Sequence, residues 1–256
     1  MIDLDNARKV FKEYVAKFDP NDGRIRLKIN HIYRVAEISR EIAIRINMNE
    51  EEQQLAELIG LLHDIGRFMQ VKLYNTFNDG KSINHSEMGI KVLFDDGLIY
   101  RFLEDRKYDD IIKVAILNHN KDRIADDVSG KMLDYCKIIR DADKTDIFYV
   151  LCTEDFENSY GRADMSQDLI SDEIFREFKE DKIINYKERK SGADIMISHL
   201  AYVFDFNYAF CLQRIRENGY IEKLVNKAGF KNEDTIKKMK EIVAIANSYI
   251  NKKGKE

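Results

Sequence analysis

A chain of 256 residues that contains one proline, Pro20, has almost nothing in it to interrupt a helix. Proline lacks a backbone donor and clashes with the preceding helical turn, and glycine, the next most disruptive residue, occurs only 12 times. Hydrophobic residues make up 44% of the chain and charged ones 34%, which suits a folded protein with a sizeable core rather than a disordered one. The expected fold class is all-α.

The charge balance narrows the partners. A formal net charge of −4 supplies no broad basic field for duplex nucleic acid, whose binding depends on neutralising phosphates, although a local phosphate site remains compatible with it. Cys136, Cys152 and Cys211 are odd in number and show no CxxC spacing, so neither a disulfide framework nor a thiolate zinc site is expected. Met1 to Phe18 carries charges throughout, unlike a signal peptide, and no apolar run reaches the ~18 residues of a membrane span. These features predict a cytoplasmic protein without membrane contact; homo-oligomerisation is left open.

Helical periodicity then places the polar residues. Val10, Phe11, Tyr14, Val15 and Phe18 mark a first helix closed by the turn Asp19 to Gly23. His31, Val35, Ile38 and Ile42 share one stripe of a second, and Leu55, Leu58, Ile59 and Leu62 line a third that ends at Gly66. Arg67 to Ser82 is a loop-like stretch long enough that it should be functional or hold some structure of its own. Asn84 followed by Glu87 resembles a capping box that puts His85 in the first turn of a short helix. Ile112, Ala115, Ile116 and His119 share a face, and so do Cys136, Ile139, Asp143, Ile147 and Val150. After Thr153 come a polar connection and further aromatic-rich helices with almost no candidate ligands.

Four of the five histidines therefore fall in the first half, on or at the ends of helices and near carboxylates. An ionised Asp143 on an apolar face would cost several kcal/mol (on the order of 2–7) unless something positive meets it. Asp141 shares its face with Asp134, Lys137 and Thr145 and reads as a solvated carboxylate. Imidazoles and carboxylates without thiolates suit first-row divalent ions, with iron or manganese favoured and nickel, cobalt, zinc or magnesium as alternatives. Four histidines and two aspartates exceed what one open catalytic ion takes. A bridging carboxylate would divide them between two ions, a known arrangement for phosphate ester hydrolysis.

His31, the pair His63-Asp64 and a distant Asp143 resemble the signature of the HD superfamily of metal-dependent phosphohydrolases, and His63-Asp64-Ile65-Gly66-Arg67 is similar to the fuller motif of many members. His85, in Asn84-His85-Ser86-Glu87-Met88-Gly89, and His119, in Asn118-His119-Asn120, resemble its binuclear branch. The resemblance implies an HD-domain helical bundle over 1–153, with 154–256 as a helical extension packed on it. It implies that His31, His63, Asp64 and Asp143 hold one ion and that His85 and His119 hold a second, with Asp64 bridging and catalytic. Arg67 matches a position where relatives often place a phosphate-contacting lysine, although a cation there could equally complement a helix dipole. His119-Asn120 stands where cyclic-dinucleotide phosphodiesterases typically have paired histidines, and no Gly-Tyr-Pro loop is present, so the resemblance does not extend to that activity.

The expected function is hydrolysis of a nucleotide or other small phosphate ester. Two other classes use the same residues: a di-iron oxygenase acting on a small polyol or phosphonate-like substrate, and a non-catalytic nucleotide sensor. Lys81, Lys113 and Lys121 could line an anionic pocket, though solvated surface is the simpler reading. His199, on a face with Ile195, Tyr202 and Phe206, reads as a hydrogen-bonded core histidine and not as a ligand.

Overall fold

Short polar side chains open the first three helices. Asp3 caps α1 (Leu4–Val15) by accepting from Asn6 N, and Asp22 caps α2 (Gly23–Arg45) by accepting from Arg24 N. Asn49 and Glu52 form a reciprocal capping box at the start of α3 (Glu50–Leu62). Each such side chain satisfies a backbone donor that the helix itself leaves without an acceptor, typically stabilising it by about 1 kcal/mol. The computed structural model of the chain describes residues 1–160 and 162–254, and every regular element among the described residues is helical. None of those helices is long and apolar enough to cross a membrane.

Helices α2 and α3 pack closely because Gly60 has no side chain. A Cβ there would lie 2.7 Å from Ala36 Cα. Across this contact the chain buries Ile32, Val35, Ile42, Leu55, Leu58, Ile59 and Leu62, so His31 and His63 are carried on two tightly joined elements. Burial of each such side chain is worth roughly 1.5–3 kcal/mol.

The loop-like stretch after Gly66 does hold structure of its own: it begins with α4 (Gly66–Tyr74), which ends at Asn75 in the left-handed conformation. Tertiary packing explains this helix. Phe68 is completely buried among Phe11, Tyr14 and Phe18, at ring-centroid distances of 6.1, 6.0 and 5.4 Å. Gln70 is buried too. Only the remainder of the stretch is irregular, broken by a 3-10 turn at Asp79–Lys81.

Helix α5 (His85–Ile90) is capped by Asn84, which accepts from Ser86 N, and leads through a π-helical turn at Lys91–Asp95 to the short α6 (Ile99–Phe102). Helices α7 (Asp109–His119) and α8 (Gly130–Thr153) follow. Asp141 is completely buried, with Arg140, Lys144, Thr145 and Asp146 also buried, so the expectation of a solvated carboxylate is corrected. Its helical neighbours in sequence looked like a polar surface, but more than one face of α8 is covered.

The chain divides into two compact units, Met1–Asp143 and Lys144–Glu256, with the division inside α8. The second unit contains α9 (Phe156–Tyr160), α10 (Asp172–Lys179), α11 (Gly192–Leu200), α12 (Ala209–Glu217), α13 (Tyr220–Ala228) and α14 (Glu233–Lys253). Its core includes Phe148, Ile174, Phe178, Ile197, Leu200, Ile215, Leu224 and Ile242. His199 sits between the rings of Tyr160 and Tyr202, at 5.6 and 5.5 Å, and is half-buried. It differs from expectation in that its Nδ1 has no hydrogen-bond partner among the described residues; burial, aided by Arg189, holds its pKa down at about 3.

Candidate metal centre

The first unit gathers His31 from α2, His63 and Asp64 from the end of α3, His85 from α5, His119 from α7 and Asp143 from α8. Their side-chain donors form three overlapping groups, each within 4.8 Å: His31, His63 and Asp64; His63, His119 and Asp143; and Asp64, His85 and His119. All six residues singled out from the sequence are thus neighbours in space.

Asp64 lies at the junction. Its Oδ2 is 3.7 Å from His31 Nε2 and 3.6 Å from His63 Nε2, while its Oδ1 is 3.3 Å from His85 Nε2 and 3.8 Å from His119 Nε2. Asp143 Oδ1 lies 3.1 Å from His31 Nε2 and 3.7 Å from His63 Nε2.

Backbone geometry sets the tautomers. His63 Nδ1 lies 2.8 Å from Gly60 O and His119 Nδ1 lies 2.6 Å from Ile116 O. A carbonyl only accepts, so both rings carry their proton on Nδ1 and turn the Nε2 lone pair into the cluster. His85 behaves alike, with Nδ1 2.6 Å from Asp79 Oδ2. His63 Nε2 and Asp64 Oδ1 are buried with no hydrogen-bond partner among the described residues, and His85 Nε2 faces His119 Nε2 at 3.0 Å. Buried acceptors without donors are costly, and a cation at their centre removes the cost. Donor type, tautomer and convergence all fit divalent metal.

The protonation states agree. Burial lowers the pKa of His63 below its ordinary value, against the pull of Asp64 and Asp143. Burial likewise takes His85 to about 3, reinforced by Arg67. Burial alone would raise the Asp64 carboxyl, but Lys28, His63, His119 and Arg67 outweigh it and hold it well below the usual range. The same contest, settled by His31 and His63, keeps Asp143 ionised. Neutral imidazoles and ionised carboxylates are the forms that bind metal.

Arg67 is heavily engaged. Its Nη1 donates to Gln70 Oε1 at 2.9 Å, Phe77 O at 2.7 Å and Asp79 Oδ1 at 2.9 Å, and its Nε is 3.5 Å from Asp64 Oδ1. Two residues absent from the sequence-based set belong to the surroundings. Lys28 donates to Asp64 Oδ2 at 2.6 Å, and Asp79 contacts His85. Lys28 precedes His31 by three residues, so it shares a face of α2; that spacing was the available signal. Asp79 lies in the irregular stretch, where no periodicity points anywhere. Lys81 and Lys121 are exposed, while Lys113 lies 4.5 Å over the Phe94 ring. Buried Arg140 binds Asn118 O, Lys121 O and Asp122 O, and so pins the backbone on both sides of His119.

The helical scaffold thus buries a His/Asp cluster able to hold metal ions. Residues 29–147 match the family model described as HD domain, and this chain carries an HD domain over that stretch. Together the domain and the buried His/Asp cluster suggest a metal-dependent phosphohydrolase. Searches of curated proteins and of solved structures gave no match.

Proposed function

We propose that the protein hydrolyses a nucleotide or other small phosphate ester at a binuclear metal centre. The observation that carries the reading is the division of the Asp64 carboxylate, Oδ2 toward His31 and His63 and Oδ1 toward His85 and His119. His31, His63, Asp64 and Asp143 would hold one ion, and His85 and His119 would hold a second, with Asp64 placed to serve both. Bound there, such ions, with iron or manganese favoured, would supply Lewis acidity and a water nucleophile at neutral pH.

The chain's own residues handle charge and orientation. Lys28 is partly exposed beside Asp64 and lies 5.8 Å over the Phe77 ring, while Arg67 flanks the same ring at 5.6 Å. These two cations form a positive edge next to the cluster, suited to the non-bridging oxygens of a phosphate. Arg67 aligns the phosphate from its latched position, and Lys28 exchanges its contact with Asp64 for one with substrate. The chemistry is assigned to 1–153, with 154–256 as a helical extension.

The test begins with metal analysis of freshly purified protein. A phosphate-release screen over nucleotides follows, with each metal restored in turn. Anaerobic phosphate release with manganese supports the hydrolase; oxygen consumption with iron and no phosphate release would replace it with the oxygenase. His63→Ala and Asp64→Ala should lose metal and turnover together. Undiminished turnover by metal-stripped Asp64→Ala would overturn the proposal.

A further inference from the structure

Three histidines of the cluster are aimed by identifiable acceptors, but not in the same way. His63 and His119 close the helices that hold them, and each donates to a carbonyl three residues earlier, Gly60 O and Ile116 O. Their orientation comes with the helix. His85 is the first residue of α5, so no preceding turn of its own helix offers such a carbonyl.

Asp79 fills that role from outside the helix. Its Oδ2 is 2.6 Å from His85 Nδ1, while Oδ1 accepts from Arg67 Nη1 at 2.9 Å and from Gln70 Nε2 at 2.8 Å. One oxygen orients the histidine and the other is anchored on α4. Gln70 is completely buried, and its Nε2 also lies 2.9 Å from Ser82 Oγ and from Ile83 O, which fastens the far end of the segment. At the near end Arg24 grips Asn75 through its carbonyl at 3.0 Å and its side-chain oxygen at 2.8 Å. Arg67 adds a bond to Phe77 O in the middle.

From this arrangement we infer that Asp79 is a positioning residue that aims His85 at the second ion, so that segment 75–82 governs whether the centre holds one ion or two. The inference rests on the metal-centre reading proposed above. Carboxylates that fix a ligating histidine typically change metal affinity 10- to 100-fold when removed. Here the effect falls mainly on the ion that His85 faces, because Asp79 Oδ2 bonds His85 directly, whereas its link to Asp64 runs through Arg67.

The experiment titrates manganese(II) into the chelator-stripped full chain by calorimetry, comparing the unmodified protein with Asp79→Asn and His85→Ala. The unmodified protein should take two ions. Asp79→Asn should keep the tighter ion within about twofold and bind the second about 10- to 100-fold more weakly, and His85→Ala should lack the second. Two unchanged affinities in Asp79→Asn would overturn the inference, and so would equal weakening of both ions, which marks only a lost charge. Should Asp79→Asn fail to fold, Arg24→Ala loosens the segment without touching the cluster. It is expected to weaken the second ion alone, and unchanged binding of both would refute control by the segment. If the unmodified protein takes no manganese while retaining its helical signal, the metal-centre reading itself fails, a result distinct from two unchanged sites.

Discussion

Nε2 of His85 and Nε2 of His119 stand 3.0 Å apart, and the opposite nitrogen of each ring already faces an oxygen that only accepts, Asp79 Oδ2 and Ile116 O. Two lone pairs therefore point at each other inside the protein. Without a cation this is a destabilising contact.

Metal should consequently stabilise the fold. At 100 times its dissociation constant, manganese(II) is expected to add about 2.7 kcal/mol and to raise the melting midpoint by roughly 5–10 °C for a chain of this size. Thermal melts with the ion and then with excess chelator check this. His119→Ala should lose most of the gain; a midpoint indifferent to metal would count against the cluster's role.

Gly66→Ala should damage both stability and metal binding. The added Cβ would fall 2.2 Å from His85 O and 2.4 Å from Gly89 N, and both are backbone atoms that cannot swing aside. Overpacking of this kind costs about 1–3 kcal/mol or more, and relief requires α5 to move away with His85. Urea unfolding measures the first effect and metal titration the second. Wild-type values for both would show that the contact yields freely.

Lys28→Met keeps the aliphatic stem and removes the charge beside Asp64. Metal content should be retained while kcat/KM for a phosphate substrate falls about 10- to 100-fold, the range for a lost charge-assisted hydrogen bond of about 1.5–3 kcal/mol. Steady-state kinetics alongside metal analysis decide it. Loss of metal with unchanged kcat/KM per bound ion would assign Lys28 to the cluster and not to the substrate.

Acid should weaken the fold through His199. In the unfolded chain the ring takes a proton near its ordinary value of about 6.5, whereas in the fold it does so only at about 3. Its contribution is intact above about pH 6.5 and declines as the pH falls from there toward 3. Allowing for half-burial, the loss should be about 1–2 kcal/mol by pH 5. His199→Phe should flatten the stability profile across this window, as followed by urea unfolding at several pH values; an unaltered slope would place the acid sensitivity elsewhere.

Legibility in the sequence followed periodicity. Helical stripes marked α1, α2 and α7 because each buries one face, and His31 and His119, polar residues interrupting such stripes, stood out for that reason, as Asp143 did on α8. Helix α4 escaped notice because its short pattern is carried by Phe68, whose partners Phe11, Tyr14 and Phe18 lie some fifty residues away. Asp141 misled because a helix covered on more than one side no longer separates polar from apolar positions.

Local chemistry alone determined that the chain is helical and which side chains could bind metal, since propensity, spacing and donor type are properties of neighbours along the chain. Which oxygen of Asp64 faces which histidines, and which outside groups hold them, was decided only by folding. Lys28 and Asp79 reach Asp64 and His85 by directions in space, set by packing at Gly60 and Gly66, and such directions have no counterpart in residue order.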